Sequence, residues 1–448
     1  MGKIQIRGGK RLNGCVRIHG SKNSILPIMA AALLNSGISI IQNCPNISDV
    51  NEMCRILEYL GCVINRDDDL LIIDSCNAVS KTITKDMTGK LRASSVLIGP
   101  MLARFGYVKV AQPGGCDIGV RPMDIHLEAM KRLGAAWEAS EEYITIEAQN
   151  LRGSIINLRF PSVGATENAV MAAVGAGDDT VIYNAAREPE IIHLCAYLEK
   201  TGASIKGAGS SRIIVKGKKQ LTDVVYRVPA DRIVLGTYMG ALAVCKGEII
   251  LTDQDTEPIE AQSCSPECGR QICREHLCIS HSADLRNATK GFLDVFTGMG
   301  LEISDTLEGL KVVCNRKCDN INYIFTEPYP QFPTDMQSIV MSAAAVANGT
   351  MQIKENMFEN RFKTAKWLKK MGADIQVKDN TAIIKGVESL RGESVCGEDL
   401  RGTAALVVAG LGAAGTTIIN NADYIKRGYA DICENLRELG ADIEWKDV

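Results

Sequence analysis

The sequence lacks long apolar runs, surplus charge and any cleanly spaced metal-binding motif, and each shortage removes a class of function. Its most extended apolar stretch, around "AALVVAGLGAAG", falls well short of the ~20 residues that a bilayer-spanning helix needs. The opening "MGKIQIRGGK" has no apolar core of the kind a secretion signal carries, so the chain is expected in the cytoplasm, without a membrane partner. A formal net charge of −3 over 448 residues offers no general attraction for nucleic acid or anionic lipid. Any basic chemistry must therefore be local. In that compartment the 16 cysteines read as reduced thiols. Most, such as Cys54, Cys195, Cys245 and Cys433, sit in helix-like apolar patterns where a thiol behaves as a small hydrophobe.

Two apparent motifs fail on context. "SCSPECGRQICREHLCISHSADLR" gathers Cys264, Cys268, Cys273 and Cys278 with His276 and His281. It lacks the pair, spacer and second pair of a structural zinc site, so it reads as a surface excursion or as a local sequence anomaly such as a compensated frameshift, which composition does not separate, and no metal is expected. "GLGAAG", from Gly410 to Gly415, has the spacing of a dinucleotide loop but closes a helix instead of opening one. The acids of "EEY" and "DDD" fall on hairpin turns and read as solvated.

What the sequence does have is a sixfold repeat. "YLGCVI", "RLGAAW", "KTGASI", "GMGLEI", "KMGADI" and "ELGADI" each place a glycine between a helix end and a strand. Glycine there suits the left-handed conformation that ends a helix. All but the last continue through a turn into a second strand, which predicts β-hairpins. The sixth stops at "ADIEWKDV", and the missing strand resembles the N-terminal "KIQIRGGKRLNG". The first strand is therefore expected to complete the last repeat, which puts both termini in one domain. The interval from Gly202 to Gly300 is longer than the others, so the fourth repeat carries an insertion that includes the Cys-rich stretch.

Each repeat also holds an Ala-rich helix, apolar nearly all round and so expected to be buried. These helices open at Lys22, Arg92, Ser162, Arg232, Asp335 and Arg401. A cation at a helix start opposes the helix dipole. The conflict resolves if those cations and helix ends face bound anions together.

One thiol stands apart. In "AQPGGCDIGVRP", Gly114, Gly115 and Gly119 leave the backbone around Cys116 unrestrained, and Arg121 can lower its pKa and attract anions. No base motif of a cysteine hydrolase accompanies it. A structural turn and a reactive thiol both remain open on these residues, with the repeat-borne cations favouring the second. His126, in "RPMDIHLEAM", reads as a residue that positions this loop.

"SKNSILP", "GGCDIGVRPMDIHL", "PSVGATEN", "YPQFPTDMQ", "FENRF", "DLRG" and "RGY", in this order, resemble the UDP-N-acetylglucosamine enolpyruvyl transferases, or 1-carboxyvinyltransferases. The resemblance runs from residue 3 to the C-terminus, apart from residues 260–295. It implies an α/β fold, an inside-out α/β barrel of two similar domains, each of three repeats, with the active site in the interdomain cleft. One domain would hold residues 21–229 and carry the Cys116 lid. The other would combine 1–20 with 230–448, including the Cys-rich insert near 260–295. If that insert replaces the helix leading to "FTGMGLEI", one outer face would be weakened.

The implied reaction moves the enolpyruvyl group of phosphoenolpyruvate onto the 3′-hydroxyl of UDP-N-acetylglucosamine, releasing phosphate at the first committed step toward peptidoglycan. It implies no cofactor, no nucleic-acid partner and a monomer. Carried over by position, Lys22, Asn23, Arg121, Arg401 and Arg427 would hold phosphoenolpyruvate. Arg92, Arg121, Pro122, Met123, Asp124, Ile125, Ser162, Val163, Gly164 and Met357 would contact the sugar nucleotide. Phe160 and Pro161 stand at the uridine end, where some members carry a lysine. Asp335 would take the proton or hydrogen bond of the 3′-hydroxyl, Asp399 would assist proton transfer, and Cys116 would be the general acid. Arg232 and Arg361 would support the cleft. The competing readings are 3-phosphoshikimate 1-carboxyvinyltransferase, with the same fold, and a non-catalytic paralogue that binds a UDP-sugar.

Overall fold

The computed structural model describes residues 2–112, 123–217, 220–253 and 285–447. Gly61, Gly134, Gly202, Gly300, Gly372 and Gly440 all adopt positive φ, from 92° to 103°. After each, the next residue's N–H reaches the carbonyl five positions back, as from Cys62 to Leu57 (3.0 Å) and from Ala441 to Leu436 (2.9 Å). This closes the helix end in a Schellman motif. A strand follows in every case, and its antiparallel partner comes next in sequence for all but the last. Asp442–Lys446 pairs instead with Lys3–Arg7, setting Ile4 opposite Trp445 and Ile6 opposite Ile443. The N-terminal strand thus closes the final repeat, held by the inward, fully buried Ile4 and Ile6.

The sheets share one plan. A hairpin meets a third strand antiparallel to it, and a fourth strand pairs parallel with the third, as in Asp374–Lys378, Thr381–Lys385, Thr350–Glu355 and Tyr323–Thr326. Among the described residues one sheet has three strands. Its fourth is reduced to a single parallel bridge from Ile83 to Val110, with Ile83 N–H on the Lys109 carbonyl (2.8 Å). Of the described residues, those up to His19 and from Ala230 onward form one unit, and Gly20 through Pro229 form the other. Each unit holds three sheets around three buried helices, the arrangement of an inside-out α/β barrel.

The buried central helices of the Gly20–Pro229 unit are Lys22–Ala31, Ile98–Phe105 and Val163–Val174. Those of the other are Arg232–Cys245, Gln337–Ala344 and Leu400–Gly412. Every residue from Ala165 to Val174, and from Leu400 to Leu411, is buried. Small side chains make this possible: a Cβ added at Gly240 would lie 2.4 Å from Ile339 of the neighbouring helix.

The helix starts modify the electrostatic expectation. The residue before the cation, or one further back, is the cap. Ser21 accepts from Ser24 N–H (3.3 Å), Asp231 from Ile233 (2.8 Å), and Asp399 from Gly402 (2.8 Å). Two of these caps are carboxylates, which oppose the cation beside them and suit the dipole. The protein's own acids, as well as any bound anion, balance these ends.

The fourth repeat also differs from expectation. Residues 285–298 form the helix that leads to Gly300, overlapping the end of the stretch near 260–295 read as insertion. Leu285, Phe292 and Phe296 anchor it in the core, the two phenyl rings edge-to-face at 6.3 Å. Residues 254–284, with the cysteines and histidines weighed as a zinc site, lie outside the described residues. Elsewhere, burial pushes the thiols of Cys195 and Cys245 up to about 12 and those of Cys54 and Cys433 up to about 11. Among the described residues no helix is long and apolar enough to cross a membrane.

The helix-end glycines give a graded test. A Cβ at Gly202 would meet nothing within 4 Å, whereas at Gly61 it would lie 2.8 Å from the Asn77 carbonyl oxygen. Gly202→Ala should cost about 1 kcal/mol, the left-handed penalty alone, and Gly61→Ala clearly more. Denaturant unfolding measures both, and equal costs would contradict the assignment.

Candidate active site

The described residues singled out in the sequence are divided between the two units. In the Gly20–Pro229 unit, Lys22 opens its helix and its Nζ lies 2.8 Å from the Asp49 carboxylate, both largely buried. Asp49 comes from the first turn of the Ser48–Tyr59 helix, where sequence reading sees only an acid suited to the dipole. Ser24, one turn along from Ser21, bonds its hydroxyl to His193 Nδ1 (2.8 Å). Asn23 is partly exposed beside Lys22.

Ser162 caps the Val163–Val174 helix through Ala165 N–H (3.4 Å), and Ser162, Val163 and Gly164 are partly exposed. Phe160 is 41% exposed and Pro161 partly so. Asp124 starts the Asp124–Arg132 helix, pairs with Arg159 and accepts from Ile125 N–H (2.8 Å), with Met123 just ahead. Arg92 lies in the 3-10 turn Arg92–Leu97. Cys116, Arg121 and Pro122 lie outside the described residues.

Asn168, not singled out from sequence, ties these pieces together. Its amide oxygen accepts from Gly99 N–H (2.6 Å), and its nitrogen reaches the Ser95 carbonyl (3.0 Å), the Gly164 carbonyl (3.1 Å) and His126 Nδ1 (3.0 Å). One buried amide thereby fixes the Arg92 turn, the Ser162 turn and the Asp124 helix. Burial pushes His126 down to about 4 against the pull of Asp124, so the imidazole is neutral near pH 7 and suited to positioning. The neighbouring Glu167 is pushed up to about 8 by burial, then by the charges of Glu190 and Glu188. A buried acid inside an Ala-rich helix was the available signal for it.

A cluster in the other unit centres on Asp335. Its side chain is 26% exposed, and its carboxylate takes Arg401 on Oδ2 (Nη2 at 3.0 Å, Nε at 3.2 Å) and Arg361 on Oδ1. The two guanidinium side chains are only 3% and 4% exposed. Burial alone would lower the Arg401 pKa, but Asp335, Tyr429 and Asp231 outweigh it and hold the side chain charged. Arg401 Nη1 donates to Tyr429 Oη (3.4 Å), which also bonds the Thr237 hydroxyl (2.7 Å). Asp399 sits 4.0 Å from Arg361 while capping the Leu400–Gly412 helix. Arg427 ends the Ala422–Arg427 turn and is partly exposed, as is Met357. Arg232 lies over the Tyr329 ring at 5.9 Å. Chemically, this cluster offers one solvent-reachable carboxylate oriented by two fixed cations, able to hold a hydroxyl group.

Comparison with known proteins identifies the family. The EPSP synthase (3-phosphoshikimate 1-carboxyvinyltransferase) family pattern matches residues 6–436. The chain is 41% identical over 443 residues to UDP-N-acetylglucosamine 1-carboxyvinyltransferase 2 of Caldanaerobacter subterraneus subsp. tengcongensis, with 99% of each chain covered. To the UDP-N-acetylglucosamine 1-carboxyvinyltransferase of Halothermothrix orenii it is 39% identical over 443 residues, again 99% of each. Among solved structures, the enolpyruvyl transferase NikO from Streptomyces tendae matches with a TM-score of 0.83 at 23% identity, covering 100% of this chain and 99% of that one. EPSP synthase from Acinetobacter baumannii matches at 0.70 and 17%, with 100% of both covered. Those two structures speak to the fold.

Glu167 provides a pH test. Its folded pKa lies above its unfolded value, so it favours the fold fully below about pH 4.5, and that contribution is lost as pH rises through about 8. Glu167→Gln should therefore gain melting temperature relative to wild type between pH 6 and pH 9. A difference that stays constant across that range would contradict a protonated, buried Glu167.

Proposed function

The chain belongs to the EPSP synthase (3-phosphoshikimate 1-carboxyvinyltransferase) family, and from that membership we propose that it transfers the enolpyruvyl group of phosphoenolpyruvate to the 3′-hydroxyl of UDP-N-acetylglucosamine, releasing phosphate. The observation that carries this acceptor over shikimate 3-phosphate is the 41% identity, along the whole length, to a relative named for the sugar nucleotide. The reaction would be the first committed step toward peptidoglycan, carried out in the cytoplasm by a monomer.

In this reading the 3′-hydroxyl oxygen bonds to C2 of phosphoenolpyruvate while its proton passes to Asp335, and Cys116 delivers a proton to the C3 methylene. Loss of phosphate from C2, with removal of a proton from the new methyl group, restores the double bond on the transferred group. Lys22, Asn23, Arg121, Arg401 and Arg427 hold the phosphate and carboxylate of phosphoenolpyruvate, stabilising the charge that shifts onto the leaving group. Arg92, the segment from Arg121 to Ile125, the Phe160–Gly164 turn and Met357 hold the sugar nucleotide. Backbone N–H groups at the start of the Val163–Val174 helix suit a diphosphate. Asp399, besides its capping bond, assists proton transfer.

The reading is tested by incubating the purified chain with phosphoenolpyruvate and either acceptor while following phosphate. Release with UDP-N-acetylglucosamine is expected, and release only with shikimate 3-phosphate would overturn the proposal. Cys116→Ser should sharply reduce turnover and abolish covalent labelling by the epoxide fosfomycin. Labelling that survives the substitution would contradict the role of Cys116.

A further inference from the structure

The strands Tyr323–Thr326 and Thr350–Glu355 run parallel, with Thr326 opposite Glu355. Alternation along the second strand turns Met351, Ile353 and Glu355 inward, so a core-facing row ends on a carboxylate. Glu355 is 2% exposed. An ionisable group buried this deeply needs a full set of donors. It has them, and they divide between its two oxygens. Oε1 accepts from the Thr326 hydroxyl (2.8 Å), from Met357 N–H (2.8 Å) and from Phe358 N–H (3.2 Å). Oε2 accepts from the Thr334 hydroxyl at 2.9 Å. The Thr334 oxygen in turn accepts from Arg361 Nε (3.1 Å), and Arg361 Nη2 donates to Asp335. Thr326 Oγ1 also accepts from Asn356 N–H (2.9 Å), which ties down the start of the same turn.

We infer that Glu355 is a positioning residue for the acceptor side of the reaction, joining the turn that bears Met357 to the carboxylate of Asp335. This rests on the function proposed above. Glu355 acts through other groups. Its Oε1 fixes the backbone of residues 356–358, against which the sugar would bind. Its Oε2 sets the Thr334 hydroxyl, which orients Arg361 and through it the Asp335 oxygen that meets the 3′-hydroxyl. A misplaced base costs turnover even where binding survives.

The two oxygens predict different kinetic outcomes. Glu355→Gln keeps the shape but removes the charge and one acceptor. It should raise KM for UDP-N-acetylglucosamine and lower kcat, each by roughly tenfold, leaving KM for phosphoenolpyruvate unchanged. Thr334→Val cuts only the Oε2 arm, so kcat should fall by roughly tenfold with little change in KM for the sugar nucleotide. Hydrogen exchange at the amides of Met357 and Phe358 should quicken in Glu355→Gln and stay unchanged in Thr334→Val. A merely structural role would lower the active fraction, reducing kcat and leaving both KM values alone. Wild-type KM for the sugar nucleotide and wild-type exchange in Glu355→Gln would overturn the inference. If that variant does not fold, an unaltered kcat in Thr334→Val would overturn it. A wild-type chain that releases no phosphate with UDP-N-acetylglucosamine would sink the functional proposal, and the exchange measurement would still decide the role of Glu355.

Discussion

Burying a helix on every side leaves its ends as the places where it can meet solvent or a ligand. The rest of this structure follows from that constraint. Beyond their first turns, and apart from the buried Glu167 and Asn168, the sides of the Val163–Val174 and Leu400–Gly412 helices are alanine, glycine, valine, leucine and methionine packed against other apolar surface. Their backbone groups are satisfied within the helix except in the first and last turns. Polar chemistry is thereby driven to the termini. Lys22, Ser162 to Gly164, Asp399 and Arg401 all stand at N-terminal ends, and Asp335 sits in the turn that leads into its helix.

Charge at these ends is balanced inside the protein. Arg401 and Arg361 would each carry a large desolvation cost alone, and Asp335 is the acid they share. Sharing leaves that carboxylate held at fixed angles while part of it stays open to solvent. Lys22 and Asp49 make a similar pair in the other unit. Such pairs hold cations in place without neutralising them permanently, since an anionic substrate can compete for the same donors.

Much of this was legible in the sequence. The repeat could be read because a left-handed helix end nearly demands glycine, and the apolar alternation of "KIQIR" fitted a strand with no other partner. The reduction of one sheet to three strands was not legible. Ile83 makes its bridge through backbone atoms, which leave no pattern in side chains. The helix at 285–298 was hidden by the Cys-rich stretch ahead of it, although Leu285, Phe292 and Phe296 carry helical spacing. The candidate site divides the same way. Motif residues such as Lys22, Asp335 and Arg401 stood out as charge at apolar helix starts. Asn168 and Glu355 did not, because a buried polar residue announces itself only when its neighbours in space are known. Glu355 had a faint signal, an acid at the last inward position of its strand.

The proposed function turns on Asp335, held by two buried arginines, as the group that would meet the acceptor hydroxyl. The most direct test is Asp335→Ala, with UDP-N-acetylglucosamine binding measured by calorimetry beside turnover. Turnover should fall by about 10²-fold or more, the scale of a lost general base, while Kd for the sugar nucleotide moves by no more than about threefold, since one hydroxyl contact is a small part of that ligand. A Kd that weakens as much as turnover falls, or turnover that survives, would contradict it.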